Sequence, residues 1–174
     1  MDKSIEYWDV YDINRNKTGK IIKNIEKLLS NEYHLFVQVW IMNDKGLFLS
    51  QQRAKNMKWP LMWCANGGNA KAGEDSYTCA KREIKEELDL DLDTLEGKLF
   101  DSRIYKEDGQ NYFCDSYIYI CNKSESEYNF QKEEIEKLEY MSIDKIIDLM
   151  EKGKYFVYDE DYLKILHNYS MQRK

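Results

Sequence analysis

The sequence predicts a mixed α/β (α+β) domain in which a mixed sheet is flanked by helices. Three observations lead there. Residues 34–42, HLFVQVWIM, form an almost unbroken apolar and β-branched run, the mark of a buried strand. Residues 67–90, GGNAKAGEDSYTCAKREIKEELDL, pass from a glycine-rich turn into a segment composed for helix. Strand-like segments then precede two amphipathic ones, so the order is strands, helix, strands, helices. With 174 residues, 43% of them hydrophobic and 33% charged, residues 1–174 are expected to form one domain with a sizeable core. Residues 1–33 read as an N-terminal extension.

In chain order, residues 6–13 (EYWDVYDI) are strand-like and 14–19 a polar turn. Residues 21–29 suit a short helix, with Ile21, Ile25, Leu28 and Leu29 as its apolar positions. This extension either covers a substrate site or packs on a sheet edge. After the strand at 34–42, Asn43-Asp44-Lys45-Gly46 turns the chain into a second strand at 47–52, which makes a hairpin. His34 stands at a strand start as a ligand or as a structural imidazole. Gln51, Gln52 and Arg53 are candidate phosphate or base contacts, or solvated polar residues. Pro60, the only proline, stiffens the approach at 59–63. Trp59 is a candidate to stack on a substrate, and Trp63 to pack inward.

The central helix is expected to start near Asp75 or Ser76, both N-cap residue types. Tyr77, Ala80, Ile84 and Leu88 fall on one apolar stripe. Glu83, Glu86 and Glu87 fall on an adjacent arc, with Arg82 a turn from Glu86. Three carboxylates crowded together repel one another unless a cation joins them, and hard divalent ions such as Mg²⁺ or Mn²⁺ prefer that oxygen-rich set. Gly67 and Gly68 allow backbone conformations closed to other residues and let carbonyls approach a ligand. Glu74 near the helix start is placed to hold Arg82.

After the helix, 99–105 and 111–121 read as strands joined by a hairpin turn at 107–110. Residues 124–132 form a polar loop, 138–141 a short strand, and 144–150 and 161–169 helices. No repeat or linker divides the chain. The net charge of −6 and the lack of a basic run argue against a nucleic-acid polymer as partner. No stretch is apolar enough to span a membrane, and a cytoplasmic location is expected. Cys64, Cys79, Cys114 and Cys121 form no C-x-x-C pair and read as scattered buried thiols of a reducing compartment rather than a zinc site.

The stretch from Gly68 to Leu90 resembles the Nudix box, Gly-x5-Glu-x7-Arg-Glu-hydrophobic-x-Glu-Glu-x-Gly-hydrophobic. Gly68, Glu74, Arg82, Glu83, Ile84, Glu86, Glu87 and Leu90 match. Asp89 replaces the second glycine, which puts the helix end in question more than the metal site. A chance match is on the order of 10⁻⁸ per window at average residue usage. The resemblance implies an α/β/α sandwich and a Mg²⁺- or Mn²⁺-dependent hydrolase that cleaves a diphosphate bond, in a nucleoside diphosphate derivative. It implies Glu86 and Glu87 as metal ligands and Glu83 as ligand or general base. The carbonyl of Gly67 would complete the metal shell, and Arg82 and Glu74 would orient the carboxylates. Glu134, in Glu133-Glu134-Ile135, is a candidate extra ligand or base, and Arg53 and Trp59 are candidate substrate contacts. The partner is then a small diphosphate, and an extended N-terminal strand offers a route to a homodimer.

WDVYDINRNKTGK and the hairpin after it also resemble the isopentenyl-diphosphate isomerase branch of the same fold. Counting from Trp63, the cysteine positions of that branch fall on Gly67 and Gly68, and no acidic partner is evident near Phe113. Hydrolysis is therefore the expected reaction. An isomerase-like enzyme and a non-catalytic nucleotide-binding module are the alternatives.

Overall fold

A computed structural model describes residues 5–106, 109–156 and 158–172. It contains nine strands and three α-helices among those residues. Strands β1 (Tyr7–Tyr11) and β2 (Lys17–Lys23) pair antiparallel as a separate hairpin. The main sheet comprises β3 (His34–Met42), β4 (Phe48–Arg53), β5 (Trp63–Cys64), β6 (Asn66–Asn69), β7 (Gly97–Tyr105), β8 (Tyr112–Ile120) and β9 (Ile135–Met141). Its path is β5-β4-β3-β8-β7, with β6 on β3 and β9 on β4. The helices are α1 (Ser76–Leu88), α2 (Ile143–Glu151) and α3 (Glu160–Met171). The predicted mixed α+β class is the observed one.

Two compact units divide the chain. The first comprises Met1–Gln38, Gly67–Glu83 and Leu99–Tyr117, and the second Val39–Asn66, Ile84–Lys98 and Ile118–Lys174. Within the first, Trp8, Val10, Ile22 and Leu28 form a small buried cluster under the hairpin. Within the second, Trp40 donates its indole N–H to the Tyr162 hydroxyl at 2.7 Å, and Tyr155 meets Ser50 at 3.0 Å. These polar tips are buried, so each needs its partner.

The expected helix at 21–29 is absent. Residues 17–23 form β2 instead, and a turn follows. The burial pattern gives the reason: Ile22 and Leu28 are buried, whereas Ile21, Ile25 and Leu29 are exposed. A helix would have gathered those exposed residues onto one face, but pairing with β1 turns Ile22 inward and Ile21 outward. The hairpin turn at 107–110 falls partly on residues 107 and 108, which lie outside the described residues.

Helix α1 begins as expected, with the Asp75 carboxylate accepting the Thr78 N–H at 2.7 Å. Ala80, Ile84 and Leu88 are fully buried, but Tyr77 is 40% exposed and is not part of the stripe. Asp89 takes φ +51°, the left-handed conformation that the missing glycine would supply. The Lys85 ammonium bonds its carboxylate, and the helix stops there.

Candidate active site

The first unit holds the glycine turn and the start of the acidic helix. Gly67 has φ +135°, and a Cβ there would lie 2.2 Å from the Val37 carbonyl oxygen. Only glycine lets β6 approach β3 this closely. A Cβ on Gly68 would lie 2.5 Å from the Glu83 carboxyl group. The absent side chain is thus the space that Glu83 occupies.

Arg82 fixes this arrangement. Its Nε and Nη2 bond the two Glu74 oxygens at 2.6 and 2.9 Å, and Nη2 also donates to the Asn69 carbonyl at 3.0 Å. Nη1 bonds Glu83 Oε1 at 2.7 Å. Glu74 thus holds Arg82 as expected, and the guanidinium, reaching back toward the turn, bonds Glu83 as well. Burial pushes the Glu74 carboxyl up, but Arg82 and the Lys71 N–H outweigh it and hold the group below its ordinary value. Burial pushes Arg82 down, and its two carboxylate partners more than reverse that.

The hairpin grips the same turn. Ala72 donates its N–H to the Tyr7 carbonyl at 2.7 Å, and Gly73 donates to Asp9 Oδ2 at 2.8 Å. At the hairpin tip, Arg15 (φ +65°) bonds both oxygens of buried Asp115, which also accepts the Ser102 hydroxyl at 2.7 Å. Burial raises the Asp115 carboxyl, and these donors bring it below its ordinary value. No local pattern signals this pair, since Asp115 lies in an aromatic strand a hundred residues from Arg15. His34 is buried and stacked on Trp8 at 4.5 Å, and burial lowers its pKa to about 4. It is a neutral packing imidazole.

The second unit holds the helix's other two carboxylates. Glu87 is 6% exposed and accepts a hydrogen bond from Gln51 Nε2 at 2.8 Å. Gln51 is buried, so the expectation of a solvated or phosphate-contacting Gln51 gives way to a partner for Glu87. Gln51 Oε1 and the Oδ1 of buried Asn66 have no hydrogen-bond partner among the described residues. Glu86 is exposed. The Gln131 N–H donates to the Glu87 carbonyl at 3.1 Å, and Ala54 donates to the Glu134 carbonyl at 2.8 Å. Three segments therefore meet around the helix end: β4 with its loop, residues 131–135, and α1. Among the described residues, no three His, Cys, Asp or Glu side chains form a group that could hold a metal ion.

Beyond β4, Arg53 Nε donates to the Lys58 carbonyl at 2.7 Å and Gln52 Nε2 to the Leu61 carbonyl at 3.1 Å. These side chains pin a loop in which Trp59 (φ +52°) and Leu61 (φ +62°) flank Pro60. A left-handed conformation costs about 1–2 kcal/mol per such residue. Trp59 is 51% exposed, whereas Trp63 is buried as expected. All four cysteines are free and buried, and burial pushes the Cys64 thiol up to about 12. No helix of the described residues is long and apolar enough to cross a membrane.

The model of the NUDIX domain matches residues 32–160. An uncharacterized Nudix hydrolase of Listeria monocytogenes is 34% identical over 157 residues, which is 88% of this chain and 90% of its own. Nudix hydrolase 3 of Arabidopsis thaliana is 29% identical over 158 residues, 84% of this chain and 20% of that protein. The crystal structure of DR0079 from Deinococcus radiodurans shares the fold with a TM-score of 0.74 at 17% identity, covering 94% of this chain and 98% of that one. A C. elegans Ap4A hydrolase does so with a TM-score of 0.61 at 17% identity, covering 79% and 96%. The chain belongs to the Nudix family. It is a Nudix pyrophosphohydrolase, an enzyme that hydrolyses pyrophosphate bonds.

Proposed function

We propose that this enzyme is a divalent-metal-dependent hydrolase whose substrate is a nucleoside diphosphate joined to a second group. The observation that carries the proposal is the fit of Gly68 around Glu83, on a helix that continues with Glu86 and Glu87. The donor chemistry suits Mg²⁺ or Mn²⁺: three carboxylates on one helical arc, with the Gly67 carbonyl before them. A hard cation held by these groups would neutralise phosphate charge and acidify a water.

The chain's own residues prepare that site. Arg82, braced by Glu74, holds the Glu83 carboxylate in one orientation. Gln51 does the same for Glu87. Glu83 or Glu134 takes the proton of the attacking water. The water oxygen bonds to one phosphorus, and the bridging oxygen leaves with the other phosphoryl group. Four buried free thiols support work in a reducing, cytoplasmic compartment.

The isomerase reading is weaker on the same residues. Gly67 and Gly68 occupy its cysteine positions, and Cys64 is a buried thiol held far from ionisation at neutral pH. A silent binding module would have no need of three box carboxylates. The test is product release from nucleotide sugars, dinucleotide polyphosphates, ADP-ribose, nucleoside triphosphates and isopentenyl diphosphate, with and without Mg²⁺, with products identified by mass. Cleavage that requires metal and is abolished in a folded Glu86→Gln variant is the expected result. Turnover by that variant at the wild-type rate refutes the metal assignment.

A further inference from the structure

The β1–β2 hairpin meets the start of α1 from two sides. On one, Asp9 Oδ2 accepts the Gly73 N–H at 2.8 Å and the Lys17 ammonium at 2.6 Å. On the other, Arg15 at the hairpin tip bonds both oxygens of Asp115, whose side chain is 2% exposed. Burial raises the Asp115 carboxyl, and Arg15, Ser76 and Ser102 outweigh it as hydrogen-bond donors. Ser76 is the first residue of α1, and its hydroxyl also meets the Tyr117 hydroxyl at 2.8 Å. Arg15 reaches this position from a left-handed backbone, φ +65°. Such a backbone and a buried charge pair both cost stability, whereas each fixes one geometry. An apolar contact would hold the hairpin down as firmly without setting the helix start to one place.

We propose that the hairpin is a strap that indexes the start of α1, with Asp9 and Asp115 as positioning residues for hydrolysis and Arg15 as the residue that fastens it. This rests on the phosphoanhydride reading above. Ser76 and Glu83 are seven residues apart, so they lie on one face of the helix, about 10 Å apart along its axis. A shift of the first turn is carried over that stiff length to Glu83. The Asp9 tie reaches the same carboxylate from the turn, since Glu74 follows Gly73 and braces Arg82, which bonds Glu83. Release of the hairpin would leave a folded chain with Glu83 misplaced.

Cys79 reports the strap without turnover. It is fully buried in the first turn of α1, with Sγ 3.7 Å from Arg82 Nη2 and 3.8 Å from the Gly68 carbonyl. The experiment is N-ethylmaleimide labelling of the full chain, followed thiol by thiol by mass, beside steady-state kinetics with Mg²⁺ on the diphosphate that it cleaves. Wild type, Arg15→Ala, Arg15→Lys and Asp9→Ala are compared, each melting cooperatively and each assayed well below its melting temperature. Ile146→Ala, at a fully buried position of α2, controls for lost stability alone. Arg15→Ala and Asp9→Ala are expected to speed labelling of Cys79 about tenfold and to leave Cys64 and Cys121 at the wild-type rate. Their kcat should fall about 10–100-fold with KM nearly unchanged. Arg15 is partly exposed, so methylguanidinium added to Arg15→Ala should recover part of both effects, as should Arg15→Lys. The proposal is overturned if Cys79 labels no faster than in wild type, if all four thiols speed up together, if Ile146→Ala lowers kcat as much, or if kcat stays at the wild-type value while Cys79 opens. Failure of the wild type to cleave any diphosphate would sink the phosphoanhydride reading, and the labelling would still decide whether the strap holds the helix start.

Discussion

Alanine at Gly68 separates the site from the fold. Its Cβ would lie 2.5 Å from Glu83 Cδ and Oε1 and 2.7 Å from Oε2. Ordinary carbon contacts are about 3.5–4.0 Å, so the carboxylate must retreat by about 1 Å. Gly68 is outside the left-handed region, so the new residue carries no backbone penalty. The retreat breaks the 2.7 Å bond from Arg82 Nη1, while both bonds from Arg82 to Glu74 survive. One charge-assisted bond among several sets a stability loss of about 1–2 kcal/mol. At this chain length that lowers the melting temperature by roughly 2–8 °C. A 1 Å misplacement of a catalytic group costs about 10²-fold in rate. Steady-state kinetics with Mg²⁺ should therefore show kcat/KM down about 100-fold, carried by kcat, in a protein that still melts cooperatively. Gly67→Ala should show the reverse balance. Its Cβ meets the Val37 backbone carbonyl at 2.2 Å with φ +135°, and the fold is expected to lose about 3 kcal/mol or more. Gly68→Ala with kcat/KM within twofold of wild type would refute the fit of Gly68 around Glu83.

Other perturbations read separate parts of the molecule. Arg15→Ala leaves the buried Asp115 carboxylate without its cation; with Arg15 itself about a third exposed, a loss of about 2–3 kcal/mol is expected in urea melts at pH 7. Because Asp115 is held below its ordinary value, that contribution is present above 3.8 and vanishes as pH falls through the folded-state value, so variant and wild type converge in acid. His34, lowered from 6.5 to about 4, must stay neutral in the fold; stability is intact above 6.5 and falls by about 3 kcal/mol as pH drops to 4. His34→Phe should remove most of that slope in urea midpoints measured at pH 7 and pH 4.5.

The parts of the fold legible in the sequence are those where a local pattern and the tertiary structure agree. HLFVQVWIM becomes β3, Asp75 caps α1, and Trp63 is buried, because run length, side-chain type and cap chemistry are local properties. Residues 21–29 misled because their apolar spacing fits a helix, while the decisive partner, β1, lies ten and more residues upstream. Gln51 was ambiguous for a related reason. Alternation places it on one face of β4, but only the fold brings Glu87 to that face. Arg15 and Asp115 carry no mutual signal at all, since a buried ion pair is defined by two positions that share no period.

Within the first unit these long-range contacts have one consequence in common. The family match begins at residue 32, yet the turn that opens the box is bonded to residues well before it. Tyr7 and Asp9 hold Ala72 and Gly73, Lys71 donates its N–H to Glu74, Glu74 braces Arg82, and Arg82 bonds Glu83. Each link is a hydrogen bond of 2.6–2.8 Å, and most involve a charged group. A glycine-rich turn has the most backbone freedom to lose, so it gains most from being tied at both ends. The hairpin supplies one tie and α1 the other. The extension is therefore part of the foundation of Glu83, because its first strand holds the turn that opens the box.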